Sequence, residues 1–171
     1  MNDPETTHLV RVTINGEEVE RVVQARQLLV HFVRDTLAMK GTHIGCDTGN
    51  CGACTMLLDG EPIKSCMMLA VQADGHAIET VEGLSRPGDE LSDLQKAFNE
   101  CHAVQCGWCT PGMLMQATAL LERDPDPDVD TIRRTLKGNI CRCTGYVNIV
   151  RAIQQAAGQE VTAGTVEEVR A

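Results

Sequence analysis

The sequence predicts an α+β chain with a β-rich N-terminal half and a helical C-terminal half. Three observations predict this: apolar residues alternate with polar ones in the first half, they recur at helical spacing in the second, and cysteines cluster in both. The length of 171 residues suits two small domains. We predict them at residues 1–83 and 92–157, with a linker at 84–91 and a tail at 158–171.

The first domain begins with a predicted hairpin and a helix. His8–Asn15 alternates as a half-buried strand does, and the Asn15-Gly16 dipeptide favours a type I′ turn into a second strand at Glu17–Gln24. A short amphipathic helix follows. Its apolar residues at helical spacing are Leu28, Leu29, Phe32, Val33 and Leu37.

The remaining strands complete a small sheet. Thr55–Leu58 and Ile63–Ser65 flank a turn at Asp59-Gly60, and Ile78–Val81 supplies a last strand. Because two hairpins carry one helix across them, we predict a half-open sheet of the β-grasp type.

The second domain is predicted to contain four short helices. Ser92–Gln95 has the form of a capping box, and Thr110-Pro111 places a threonine cap before a proline at the first helical position. Asp128 or Asp130 caps the third helix, and Thr144 starts the fourth. Four helices joined by short loops predict a small bundle.

Charge and hydropathy exclude several classes of protein. With 24 acidic and 15 basic side chains, the formal charge is −9, which excludes nucleic-acid binding because phosphate contacts need a basic surface. The acidic, polar N-terminus excludes a secretory signal peptide, and no apolar run approaches the ~18 residues of a membrane span. We therefore expect a cytoplasmic chain whose thiols stay reduced and serve metal or redox chemistry.

Four cysteines form a first set in the β-rich half. Three of them have the spacing C-x4-C-x2-C and the fourth follows after eleven residues, which is the plant-type ferredoxin pattern of a 2Fe–2S cluster. The first set consists of Cys46, Cys51, Cys54 and Cys66. Gly45, Gly49 and Gly52 are expected to supply positive-φ positions and to bring backbone N–H groups near the sulfurs. The alternative is a four-cysteine zinc site, which usually pairs its ligands as two C-x2-C units.

Four further cysteines form a second set in the helical half. Cys106 and Cys109 are spaced C-x2-C, and Cys141 and Cys143 are spaced C-x-C. Each pair precedes a predicted helix N-terminus, and two helix dipoles aimed at one site favour an anionic group. A zinc site with four thiolates is equally anionic, so these residues alone leave zinc open. The ferredoxin-like first set favours a second 2Fe–2S cluster here.

Two residues near the second set have competing interpretations. Cys101, the ninth cysteine, is predicted to be a buried packing thiol rather than a ligand. Trp108 lies between two candidate ligands, where it either shields the cluster or packs inside the bundle. The predicted architecture is thus a β-grasp, plant-type 2Fe–2S ferredoxin-like domain followed by a four-helix-bundle 2Fe–2S domain.

Three segments together resemble a known family. They are His43–Thr55, Gln105–Gly112 and Asn139–Tyr146, and they contain seven of the eight candidate ligands. Over about residues 8–157 the chain resembles the iron–sulfur small subunit of the molybdenum hydroxylases, the xanthine oxidase family.

The resemblance implies an electron-transfer role with no catalytic residue in this chain. Electrons would pass from a molybdenum–pterin centre in a large subunit, through both clusters, to FAD in a medium subunit. The second set would ligate the pterin-proximal cluster and the first set the flavin-side cluster. Gln105 would hydrogen-bond the pterin, and Cys143 would approach its amino group.

Within the family, the sequence is most similar to the small subunit of aerobic carbon monoxide dehydrogenase, at Cys46–Thr48, Lys64–Met68 and Ala70–Ala73. This likeness implies oxidation of CO to CO2 in a dimer of heterotrimers that does not span the membrane, with docking at its inner face left open. One alternative is the same subunit of a hydroxylase acting on an N-heterocycle, a purine or an aldehyde. Alternatives of other classes are a free-standing ferredoxin and a zinc-stabilised interaction module.

Overall fold

The structure is a computed structural model that describes residues 6–85 and 90–161. Residues 86–89 of the predicted linker and residues 162–171 of the predicted tail lie outside the described residues, as do residues 1–5. Within the described ranges, no helix has the length and apolar character needed to cross a membrane.

A mixed five-stranded sheet forms the first domain. Its strands are β1 (Thr7–Ile14), β2 (Glu17–Gln24), β3 (Thr55–Leu58), β4 (Glu61–Lys64) and β5 (Ala77–Glu79). The strand order is β2-β1-β5-β3-β4, in which β1 and β5 are parallel and all other neighbours are antiparallel. The predicted β-grasp sheet is confirmed. Its last strand is shorter than predicted because Val81–Leu84 turns into a 3-10 helix, where Val81 packs on the helical core.

The helix that crosses the sheet is wider than an α-helix. The segment α1 (Leu29–His31) continues as a π-helix over Phe32–Thr36, and Leu37 N donates to Phe32 O at 3.0 Å. Leu29, Phe32 and Val33 fill the sheet core, whereas Val30 packs against Cys54 and Cys66. The predicted amphipathic helix is therefore buried on two sides, against the sheet and against the first cysteine set.

Four helices form the second domain, as predicted. They are α2 (Asp93–Glu100), α3 (Thr110–Arg123), α4 (Val129–Thr135) and α5 (Val147–Ala156). The Ser92–Gln95 capping box is present, and of the two candidate caps for α4 it is Asp128 that accepts a hydrogen bond from Thr131 N at 2.6 Å. The α+β fold class is confirmed in both halves.

The fourth helix begins three residues later than predicted. Gly145 and Tyr146 have φ values of +66° and +69°, and such left-handed residues cannot continue into a right-handed helix. Thr144 is consequently not the cap of α5. The prediction was wrong because Thr144 and Tyr146 contact the Cys141 loop instead.

A small apolar cluster joins the two domains. Leu57 of β3 packs against Met115 and Ala119 of α3, and all three are buried. This contact seats α3 on the sheet and brings the loop before α3 next to the loop before β3. The loop before β3 carries Cys46, Cys51 and Cys54, and the loop before α3 carries Cys106 and Cys109.

Candidate metal centres

The first cysteine set lies on one loop and one hairpin. Cys54 immediately precedes β3 and Cys66 follows β4, so the β3–β4 hairpin places these two thiols together, and both are buried. Burial and the contact with Cys54 raise the pKa of the Cys66 thiol to about 11. Cys46 and Cys51 lie closer to the surface.

Backbone amides in the first loop point at a sulfur. Thr48 N and Cys51 N lie 3.4 and 3.3 Å from Cys46 Sγ. Hydrogen bonds from Thr48 and then from Cys51 lower the pKa of the Cys46 thiol to about 6, so that its thiolate is favoured. The loop is built to stabilise negative charge on sulfur.

Glycines shape this loop in two different ways. Gly49 and Gly52 have φ values of +72° and +73°, as predicted. Gly45 has no positive φ, and Asp47 takes a left-handed conformation instead, at +53°. Gly45 serves by its size: an added Cβ would lie 2.8 Å from Cys51 Sγ, so only glycine leaves room for that sulfur.

The second cysteine set has an outer and an inner pair. Cys106 and Cys143 are exposed with their sulfurs 3.5 Å apart, whereas Cys109 is partly buried and Cys141 is buried. Burial, reinforced by Cys141, raises the pKa of the Cys109 thiol to about 12. Burial also acts to raise the pKa of the Cys141 thiol, but hydrogen bonds from Thr144 outweigh burial, so the pKa of that thiol is lowered.

The helix termini behind this set differ from the prediction. Cys109 itself is the N-cap of α3 and makes no side-chain cap bond, and Thr110 is the first helical residue. Thr144 donates from Oγ1 to Cys141 Sγ at 3.0 Å, and Tyr146 accepts at its hydroxyl from Cys141 N at 2.9 Å. Sequence reasoning gave Tyr146 no role at the site, although it ends the resembling segment Asn139–Tyr146, five residues after a candidate ligand.

Trp108 links the two cysteine loops. Trp108 is 55% exposed, so of its two interpretations the one in which it packs inside the bundle is wrong. The ring stacks on His43 at a centroid distance of 4.6 Å, and its Nε1 donates to Ile44 O at 3.2 Å. Both partners come shortly before Cys46. The loop of the second set is thereby held against the loop of the first.

Two other predicted residues lie near the second set. Gln105 is exposed beside Cys106, and no partner for its side chain is seen within the part of the chain that the structure describes. Cys101 is partly buried rather than buried, and its Sγ donates to Gln155 Oε1 at 3.1 Å. It therefore ties the end of α2 to α5.

A backbone hydrogen bond and a polar cluster connect the two sets. Ile140 N, next to Cys141, donates to Cys51 O at 2.8 Å. Beside this bond, Lys64 and Asn139 meet across the domain boundary, with Nζ and Oδ1 3.0 Å apart. Sequence reasoning assigned these two no role, although each begins a segment of the family resemblance and stands two residues before a cysteine of a set.

The donor chemistry of both sets fits a 2Fe–2S cluster. Each set supplies four thiols, together with hydrogen bonds to sulfur and, in the first set, a glycine where a side chain would collide with a sulfur. Among residues 6–85 and 90–161, no three His, Cys, Asp or Glu side chains converge as ligands of one metal ion. A cluster with two irons needs only two thiolates at each iron.

Comparisons with known proteins agree with this chemistry. A family model described as a 2Fe–2S iron–sulfur cluster binding domain matches residues 12–85, and one described as a 2Fe–2S binding domain matches residues 80–154. The chain is 50% identical over 155 residues to caffeine dehydrogenase subunit gamma of Pseudomonas sp. (strain CBB1), covering 89% of this chain and 92% of that protein. It is 47% identical over 150 residues to the nicotine 6-hydroxylase small subunit of Paenarthrobacter nicotinovorans, covering 88% and 90%.

A solved structure extends the likeness to the whole fold. Quinoline 2-oxidoreductase from Pseudomonas putida 86 matches with a TM-score of 0.86 and 47% identity, over 89% of this chain and 93% of that one. Because both halves of the chain match families of 2Fe–2S domains, the alternatives of four-cysteine zinc sites and of a zinc-stabilised interaction module are rejected. The chain belongs to the iron–sulfur small subunits of the molybdenum hydroxylases and serves an oxidoreductase complex.

Proposed function

We propose that this chain carries electrons from a molybdenum–pterin centre in a large partner subunit to FAD in a medium partner subunit. The second set ligates the cluster that receives the electrons, and the first set ligates the cluster that passes them on. The observation that carries the proposal is the hydrogen bond from Ile140 N to Cys51 O, because it joins the two ligand loops at 2.8 Å.

The exposure of the second set supports its place next to the pterin. Gln105, Cys106 and Cys143 all reach the surface. Val104, Trp108 and Ile140, each between 42% and 55% exposed, come from the same two loops. Exposed apolar side chains beside a redox group are typical of a surface that a partner subunit covers. We assign Gln105 to a hydrogen bond with the pterin and Cys143 to the approach to its amino group.

The identity of the relatives supports an N-heterocyclic substrate for the complex. The proteins compared above are named for caffeine, nicotine and quinoline, which are all nitrogen heterocycles. We therefore favour this alternative over CO, which rests on the short likeness at Cys46–Thr48, Lys64–Met68 and Ala70–Ala73. Purines fall within this class, since caffeine is a methylated purine, and aldehydes are a further outcome of the same test.

The remaining features of the proposal concern assembly and location. We propose a dimer of heterotrimers in the cytoplasm, where reduced thiols can assemble clusters. The two domains are taken as residues 1–83 and 92–157. The inner membrane face is the surface on which such a complex could dock.

The test is to purify the complex from its source and to measure its metals, spectra and substrates. We expect co-purification with a molybdopterin and a FAD subunit, about four irons per chain of this type, and two spin-½ EPR signals after dithionite. Bleaching of the visible spectrum should follow addition of an N-heterocycle, which includes purines, with CO and an aldehyde as matched controls.

Each result has a clear consequence. A lone 18.6 kDa species with two clusters would favour the free-standing ferredoxin. Reduction by CO but by no heterocycle would restore the carbon monoxide assignment. A colourless protein with two zinc ions would refute the redox function.

A further inference from the structure

A lysine ammonium lies at the junction of the two cysteine loops. Lys64 ends β4, the edge strand, and its Nζ contacts Gly138 O at 2.8 Å, Thr55 Oγ1 at 3.0 Å and Asn139 Oδ1 at 3.0 Å. An ammonium has three N–H donors and no acceptor. Three oxygens therefore match its donors one for one.

The partners are themselves oriented by other hydrogen bonds. Thr55 Oγ1 donates to Gly52 O at 2.7 Å and accepts from Asn139 Nδ2 at 3.2 Å, which leaves one lone pair to face Lys64. Asn139, only 2% exposed, directs Nδ2 at Gly52 O and Gly112 O, both at 3.0 Å. That choice of amide orientation leaves Oδ1 as the atom that faces the ammonium. These hydrogen-bonded residues thus hold the Lys64 ammonium in place.

The ammonium of Lys64 lies beside residues that adjoin ligands of the first cysteine set. Thr55 follows Cys54 directly, and Lys64 precedes Cys66 by two residues. Burial lowers the pKa of the Lys64 ammonium, and the four thiols of that set act on it in the opposite direction. One-electron reduction adds a negative charge to a cluster, so a fixed cation nearby stabilises the reduced form more than the oxidised form.

We propose that Lys64 is a positioning residue that raises the reduction potential of the first cluster, with Asn139 and Thr55 holding its charge in place. This inference rests on the proposed ligand assignment. One electron would leave the second cluster and arrive on the first. The cation thereby draws electrons across the junction between the domains.

The test is a redox titration of the purified complex, followed by EPR, in variants that change only this charge. Lys64→Gln and Lys64→Met should each lower the ratio of reduced to oxidised first cluster about tenfold at a fixed potential, which is 59 mV for one electron. Lys64→Arg should keep the ratio within about twofold, since it keeps the charge. The signal that persists in Cys109→Ser identifies the first cluster.

Lys96→Gln is the matched control, because Lys96 lies on α2 with its Nζ 3.8 Å from Asp93 Oδ1 and should leave both ratios unchanged. Unchanged ratios in both neutral Lys64 variants would overturn the inference, and so would an equal shift of both clusters. Loss of the first cluster from both neutral variants, but not from Lys64→Arg, would also overturn it by assigning Lys64 to cluster retention. Absence of two spin-½ signals from the unmodified complex would instead refute the proposed function.

Discussion

Replacing Gly112 with alanine should destabilise the protein, although the same change in a helix usually stabilises it. In a helix, alanine is ordinarily more stable than glycine by about 0.8–1.0 kcal/mol. Gly112 lies in the first turn of α3, where an added Cβ would meet Gly52 O at 2.1 Å and Ala53 O at 3.1 Å. Both contacts are with backbone of the first cysteine loop, so no side chain can move aside. The helix and the loop would have to separate by roughly 1 Å.

The expected change in the free energy of unfolding has three contributions. Overpacking costs about 1–3 kcal/mol. Separation also stretches the bonds from Asn139 Nδ2 to Gly52 O and Gly112 O, now 3.0 Å each, and each lost bond costs about 1 kcal/mol. After the gain in helix propensity is subtracted, the free energy of unfolding should fall by about 2–4 kcal/mol.

Thermal unfolding of the cluster-loaded chain measures this effect, by far-UV circular dichroism and visible absorbance at one fixed scan rate. Thr118→Ala is the control on the same helix, since it also gains alanine propensity but changes a half-buried side chain rather than a glycine against backbone. The control should alter Tm little. If Gly112→Ala proves as stable as the unmodified chain, the close packing of α3 on the cysteine loop is refuted.

Three further predictions concern the cysteines. Cys109→Ser should abolish the EPR signal of the second cluster and stop electron flow from substrate to flavin, while the first signal persists; full turnover would contradict the relay. Cys101→Ala should leave both signals intact because its partner is Gln155, and loss of either signal would make Cys101 a ligand. In the metal-free chain, iodoacetamide should modify Cys46 at a rate that falls as the pH drops below about 6, because only the thiolate reacts. Cys109, with a pKa of about 12, should stay unmodified at neutral pH. Mass spectrometry that found equal labelling of the two cysteines would contradict this order.

Local chemistry explains which structural predictions succeeded. The Asn15-Gly16 turn, the Ser92–Gln95 capping box and the Asp128 cap each depend on residues within a few positions of one another. Such interactions repeat wherever the same residues occur, so a pattern is enough to predict them. The β-grasp sheet and the helical bundle follow from these turns and caps together with apolar periodicity.

The errors arose where distant residues override local preference. The crossing helix widens to a π-helix at Phe32–Thr36, just after Val30 packs on Cys54 and Cys66 and where Phe32 and Val33 enter the sheet core. Thr144 does not start α5, because Thr144 and Tyr146 bind the Cys141 loop and Tyr146 takes a left-handed conformation. Neither the π-helix of the crossing segment nor the late start of α5 can be read from the residues of the helix concerned.

By itself, the sequence determined which cysteines could act as ligands and which domain type each set belongs to, because each set has a characteristic spacing along the chain. The tertiary structure decided which thiols reach the surface and how the loops meet. Lys64 and Asn139 are 75 positions apart, and their hydrogen bond crosses the same domain boundary at which Leu57 of β3 packs against α3. Contacts between domains depend on the packing of both, and no periodicity within either segment encodes them.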